Sequence, residues 1–228
     1  MGNSAGGPAH DEHLSARTVK LLLGLLIISR VVFGCPARLA HEGELRVGHV
    51  VINEVLFNLP EERDLEEWVE LYNNADRPVN LKGWTLDDRD THRFEFRNDL
   101  ILMPGQYLVF FTNAEHTKQF STLESQGVLS VAYQTAGGNP LNQQIWNNDG
   151  DEILLQDENG TIIDYIEFGE PGGDGRDPTP AGAVWHGYIP IPPPGYGIAL
   201  FPNGYDLDSS ANWGFRAPQE LTPGAANF

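Results

Sequence analysis

The stretch EEWVELYNNADRPVNLKGWTLDDRD, residues 66–90, decides the fold. It opens on a strand-like run, EWVELYN (67–73), turns through the polar NNADRP and returns as VNLKGWTLDD. Side chains alternate between the two faces of a strand. Val69 and Leu71 therefore share one face, and Trp68, Glu70 and Tyr72 share the other. Both faces carry apolar groups. Val69 and Leu71 are assigned to a core, and Trp68 and Tyr72 to a second face covered by a loop. Glu54 has a similar setting between Ile52 and Leu56. Partly buried carboxylates of this kind must be hydrogen-bonded or paired.

Working outward, the same pattern of short runs recurs. VVINEVLF (50–57), WTLDD (84–88), HRFEF (92–96) and YLVFF (107–111) read as strands. So do DEILLQD (151–157), TIIDYIEF (161–168) and YGIALF (196–201). Gly, Pro, Asn or Asp clusters bound each run. Asn159-Gly160 is the chemistry of a tight hairpin turn, and Pro104-Gly105 launches YLVFF. AEHTKQFSTLES (114–125) predicts one or two helical turns. Many short strands with turn signals predict an all-β sandwich.

The bulk numbers fit an ordinary domain with an appendage. Of 228 residues, 40% are hydrophobic, which argues against a disordered chain. Residues 41–228 hold 30 of the 32 acids and 10 of the 14 bases, a formal charge of −20. Such a surface repels phosphate backbones and argues against nucleic-acid binding. It suits divalent cations.

Residues 1–40 read as an export signal, followed by a polar linker at 41–48 and the body at 49–228. LLLGLLIIS (21–29) is a short apolar core behind Arg17 and Lys20. Val32-Phe33-Gly34-Cys35 resembles a lipobox, in which the cysteine is lipidated. Cys35 is the lone cysteine, so no disulfide forms within the chain. Two outcomes stay open: a lipid anchor at Cys35, or ordinary cleavage, for instance after Ala37 or Ala40. Residues 1–18 are polar and acidic for an n-region, and translation starting at Val19 gives a compact signal.

VVINEVLFN, EEWVELYNN, VNLKGWTLDD and ILMPGQYLVFF follow one another in an order that resembles the lamin tail domain. The resemblance continues through NNDGDEILLQDENGTIIDYIEFG, PPPGYGIALF, DLDSSANWGF and LTPGAANF, over about residues 49–228. It implies an immunoglobulin-like β-sandwich. In animals the family forms the globular tail of nuclear lamins, a part that serves interaction. In bacteria it looks like a module of secreted and envelope proteins. The signal read here, with no coiled-coil rod before the body, sets aside a nuclear filament role. The resemblance makes EWVELYN and GWTLDD framework strands and gives no catalytic role to Glu67 or Glu70.

Three candidate sites remain. Glu54 and Glu70 on neighbouring strands suit glycoside hydrolysis in principle. The plainer reading is that they cap backbone N–H groups or pair with Arg77 or Arg93, and catalytic residues are not expected. Acidic loops carry Asp87, Asp88 and Asp90, then Asp149 and Asp151, then Asp206 and Asp208. Alternate aspartates supply oxygens for calcium, the one cofactor considered, and Asp149, Asp151, Asp206 and Asp208 are its candidate ligands. Ordinary Asx turns are the competing explanation. The proline-stiffened loop AVWHGYIPIPPPGYG (183–197) displays Trp185, Tyr188 and Tyr196. These stack on a sugar or a partner protein, or fold back to seal one end of the sandwich. The histidines are scattered with no metal spacing.

The function expected is an exported, non-catalytic interaction or structural module of the cell envelope or extracellular space. Its partner is a protein or a polysaccharide. Two alternatives stand beside it: a carbohydrate-binding module using the aromatic loop, and a small metal-assisted hydrolase using acidic loop residues.

Overall fold

A computed structural model describes residues 48–134, 139, 141, 143–169 and 179–228. The expected export signal, Cys35 and most of the expected linker lie outside these residues, as does the segment 170–178. The described part belongs to one compact unit, Ala40–Phe228.

The described residues form twelve strands and one short α-helix. They are β1 (Val50–Leu56), β2 (Trp68–Asn73), β3 (Val79–Asn80), β4 (Thr85–Asp87), β5 (Arg93–Glu95), β6 (Ile101–Leu102) and β7 (Tyr107–Phe111). Helix α1 (Lys118–Ser125) precedes β8 (Leu129–Ala132), β9 (Gly150–Gln156), β10 (Ile162–Gly169), β11 (Gly197–Leu200) and β12 (Trp213–Arg216). The expected helical turns thus start at Lys118, inside the predicted span. Strands β3, β6, β8 and β12 were not anticipated.

A six-stranded sheet, in the order β12-β11-β1-β2-β7-β8, faces a four-stranded sheet, β10-β9-β4-β5. Strands β3 and β6 form a small separate ribbon. All pairings are antiparallel except β7 with β8. The main core draws Ile52, Val55, Val69, Leu71, Phe110 and Ile198 from the large sheet. It draws Leu86, Phe94, Ile153, Leu155, Ile166 and Phe168 from the small one. This is the all-β sandwich that the alternation of apolar runs predicts.

The expectation that both faces of β2 are covered holds. Val69 and Leu71 point into the main core, whereas Trp68 is fully buried in a second cluster with Leu56, Leu59, Val109, Phe111 and Leu123. Helix α1 supplies that lid through Leu123, with Phe120 edge-on to Phe111 at 5.1 Å. Tyr72 stacks beside Tyr107 at 4.7 Å. Strand β1 is buried along its whole length. A register shift between Ile52 and Glu54 puts a bulge at Asn53. A bulge exchanges the faces of the residues that follow it. Ile52 and Val55 can therefore both enter the core while Glu54 turns to the second face.

Glycine is required where β9 and β10 start and end. Gly169 has a φ of +88°, and a Cβ there would sit 2.5 Å from the Gly150 Cα and 2.8 Å from the Asp149 carbonyl. Gly160 in the β9–β10 turn has a φ of +78° but open space around it. Replacing Gly160 by alanine meets only the left-handed backbone penalty, about 1 kcal/mol. Gly169→Ala adds overpacking and is expected to cost roughly 3 kcal/mol or more. Chemical denaturation of the two variants checks this ordering, and equal midpoints would contradict it.

Candidate functional site

The second face of the large sheet is polar at its centre. Glu54 and Glu70 are directly opposite each other across β1 and β2, and both are fully buried. The segment 217–228 lies over them as a strap. Thr222 N–H donates to Glu54 Oε2 at 3.0 Å, and Gly224 N–H donates to Glu70 Oε2 at 2.5 Å. Asn53, at the bulge, donates to Glu70 Oε1 at 2.8 Å and accepts from Gly204 N–H at 2.9 Å. Asn227 closes the strap by donating to the carbonyls of Asn53 and Leu200, at 3.0 and 3.2 Å. The capping role read for these glutamates is what the structure displays. The cations proposed for them are elsewhere: Arg93 pairs with Asp87 at 3.5 Å. Arg216 is the basic group that acts on Glu54.

Burial pushes Glu54 up to about 7, against the stabilising hydrogen bond from Thr222. Burial pushes Glu70 up to about 8, against the bonds from Asn53 and Gly224, and the neighbouring Glu54 adds to the rise. Glu67 is also fully buried, and its Oε2 accepts from Ile145 N–H at 2.9 Å. Burial holds its carboxyl well above the usual range. These three acids join segments distant in sequence through framework bonds, with Glu67 Oε1 left buried and unbonded.

A different cluster gathers Asp164, Asp206 and Asp208. One carboxylate oxygen from each lies within 4.8 Å of the others, and all three residues are buried. Asp164 Oδ2 accepts from Ile52 N–H at 2.6 Å, and Asp164 Oδ1 from Tyr165 N–H at 2.7 Å. Asp206 Oδ1 accepts from Asp208 N–H at 2.9 Å, which holds that loop turn. Burial, with Asp206 and Asp208 close by, raises Asp164 well above the carboxylate range. Sequence reasoning named Asp206 and Asp208 and missed Asp164. The available signal was a lone acid inside the apolar run IIDYI.

Asp149 and Asp151 are not part of that cluster. Asp149 is exposed, and Asp151 accepts from Asn147 N–H and Glu152 N–H, each at 2.8 Å. Asp88 organises the β4–β5 turn, with its Oδ1 accepting from His92 N–H at 2.9 Å, while Oδ2 contacts His92 Nδ1 at 2.6 Å. In the proline loop, Trp185 is half-buried against the core and meets Tyr165 edge-on at 6.3 Å. Tyr196 is half-buried, and Tyr188 is the exposed member of the three, at 41%. The loop therefore folds Trp185 inward, as a seal does.

The family model of the lamin tail domain matches residues 46–170, just over half of the chain. No curated protein matches it. The match ends at the close of β10, and β11, β12 and the strap lie beyond it.

The glutamate pair sets a pH dependence. Both carboxyls bind protons in the folded state above the ordinary glutamate value of 4.5. Between about pH 4.5 and 8 the folded chain holds protons that the unfolded chain has released, so stability falls as pH rises. Thermal melts from pH 5 to 9 should show a declining midpoint that levels off above pH 8. Glu54→Gln keeps an acceptor for Thr222 N–H and removes a titrating group. It should take up to about 3 kcal/mol out of the slope, and an unchanged slope would contradict the assignment.

Proposed function

We propose that this chain, which belongs to the lamin tail domain family, is an exported, non-catalytic interaction module of the cell envelope or extracellular space. The observation that carries the reading is the use made of Glu54, Glu67 and Glu70. Each is a buried acid of the kind a hydrolase needs, and each accepts a backbone N–H from a segment crossing the sheet. They are framework members of a family whose domains serve protein interaction. Sandwich folds host their functions in loops and edges. The acid-rich body suits a solvated exterior and disfavours nucleic acid.

The sequence of the leader supports export, with Cys35 as the anchor to the membrane. Intact mass of the protein from its native host checks this reading. A chain beginning at a diacylated Cys35 is expected. An unprocessed chain containing residues 1–40 would contradict export. Cross-linking in the same cells should capture a protein or polysaccharide partner, and a hydrolase screen with and without calcium should be silent.

Calcium at Asp164, Asp206 and Asp208 belongs to the same proposal. Three buried carboxylates, each with an oxygen within 4.8 Å of the others, bring hard oxygen donors to one place. Hard oxygen donors at that separation suit calcium better than a softer metal. Calorimetric titration should give saturable binding, with the melting midpoint rising in calcium and falling with chelator. Asp206→Asn with Asp208→Asn should abolish the shift. No shift in the unmodified chain would overturn the calcium reading.

A further inference from the structure

The large sheet is six strands wide and the small one four, and on one side the large sheet ends in β12. The pairing phase of this edge strand is set by Phe201 N–H, which donates to the Asn212 carbonyl at 2.8 Å. Hydrogen-bonded and non-hydrogen-bonded pairs alternate along an antiparallel ladder. With Ala199 opposite Gly214 and Gly197 opposite Arg216, those two pairs bond across to β11. Trp213 and Phe215 then turn their main-chain groups outward. Trp213 N–H is taken by the Ser210 carbonyl. Among the described residues, the N–H and C=O of Phe215 and the C=O of Trp213 have no main-chain partner.

Beside this edge lies a cleft of about 320 Å³, lined by Phe201, Asn212, Trp213, Phe215, Arg216 and Phe228 among others. Its phenylalanines are exposed: 55% for Phe201, 44% for Phe215 and 82% for Phe228. Gly214 keeps the floor open, because a Cβ there would meet nothing within 4 Å. Arg216 lies 5.5 Å above the Phe201 ring and donates to the Phe228 carbonyl. Its second terminal nitrogen, Nη2, is itself buried and has no acceptor. No acidic residue lines the cleft, in a body whose formal charge is −20. Exposed edges template the addition of another strand, and aromatic residues with arginine are the groups that anchor interfaces.

We infer that β12 is a strand-addition site for a partner's extended segment, whose backbone pairs with Phe215 and whose apolar side chain enters the cleft beside a carboxylate that meets Arg216. Main-chain bonds supply affinity in this mode, and the pocket supplies specificity. A second copy of the chain fits less well. Its own β12, WGFR, carries no acid for Arg216, and its body adds like charge. The inference rests on the interaction-module reading and names the surface that reading needs.

The test is fluorescence polarisation of the full chain with a labelled ten-residue peptide. The peptide alternates phenylalanine or valine with threonine and carries one central glutamate. Controls replace that glutamate by lysine, or N-methylate alternate backbone amides. Saturable binding is expected, lost on N-methylation. Phe215→Ala should weaken it, and Phe215→Pro, which also removes the outward N–H but no ladder bond, should weaken it about tenfold further. Arg216→Gln should erase the preference for glutamate over lysine. Circular dichroism melts confirm that each variant folds, and Arg216→Gln carries the test if Phe215→Pro does not.

Equal binding of the N-methylated peptide, or no binding, overturns the inference. So does a dimer of the unmodified chain that Phe215→Pro dissociates, which would give the edge to a second copy. Cross-linked partners that persist in Phe215→Pro leave the module reading intact and remove β12 from it. A chain that cross-links to nothing at any surface removes the module reading itself.

Discussion

Strand β1 is buried on both faces, and the structure depends on how that burial is made tolerable. Its bulge at Asn53 sends Ile52 and Val55 into the sandwich and Glu54 to the other side. The bulge also brings Ile52 N–H to a carboxylate from the opposite sheet, Asp164, at 2.6 Å. A carboxylate fixed by main-chain donors holds the two sheets in one register, which apolar packing alone does with less specificity. The cost is a buried charge. The neighbouring Asp206 and Asp208 increase that cost.

The second face poses a related problem. A sheet this deeply covered needs a lid for β1, β2 and β7, and two different lids meet there. Near Trp68 the lid is apolar and comes from α1. Near Glu54 and Glu70 it is polar and comes from the strap 217–228. Two opposed glutamates at the centre of a sheet would repel if both were charged. Burial keeps them protonated near neutrality, and the strap's N–H groups satisfy their oxygens. The strap thus joins the β11 end of the sheet to its middle. The strap lies past the segment matched by the family model.

Most of this architecture was legible from residues 66–90 outward, because EWVELYN declares two apolar faces and the turn residues mark the strand ends. The eight long runs became strands within one or two residues. Strands β8 and β12 were hidden for physical reasons. LSVA is short and half-buried, and its partner β7 lies across a helix, so the parallel pairing has no turn signature. WGFR owes its strand form to pairing with β11, not to alternation. At the candidate site, Asp206 and Asp208 were readable as a paired-aspartate loop. Asp164 is more than forty residues away in sequence, and only the fold closes that distance. Trp185 was readable both as a ligand platform and as a seal, and the fold brings its ring edge-on to Tyr165.

Besides Tyr188 of the proline loop, exposed aromatic rings gather around β12. The two sheets differ in width by two strands, and β12 is an edge strand of the larger one. Its side chains lie at the rim of the core, beyond the fully buried Ile198 of β11. Phe215 occupies the inward-facing parity of Trp213 and yet is 44% exposed for this reason. A closed sandwich of matched sheets would have buried it. The mismatch that leaves phenylalanines beside an open strand edge is therefore a consequence of the topology. In a family of interaction domains, an unmatched edge with unused main-chain groups and an acid-free aromatic cleft is where partner recognition costs the scaffold least, because none of its core contacts have to change.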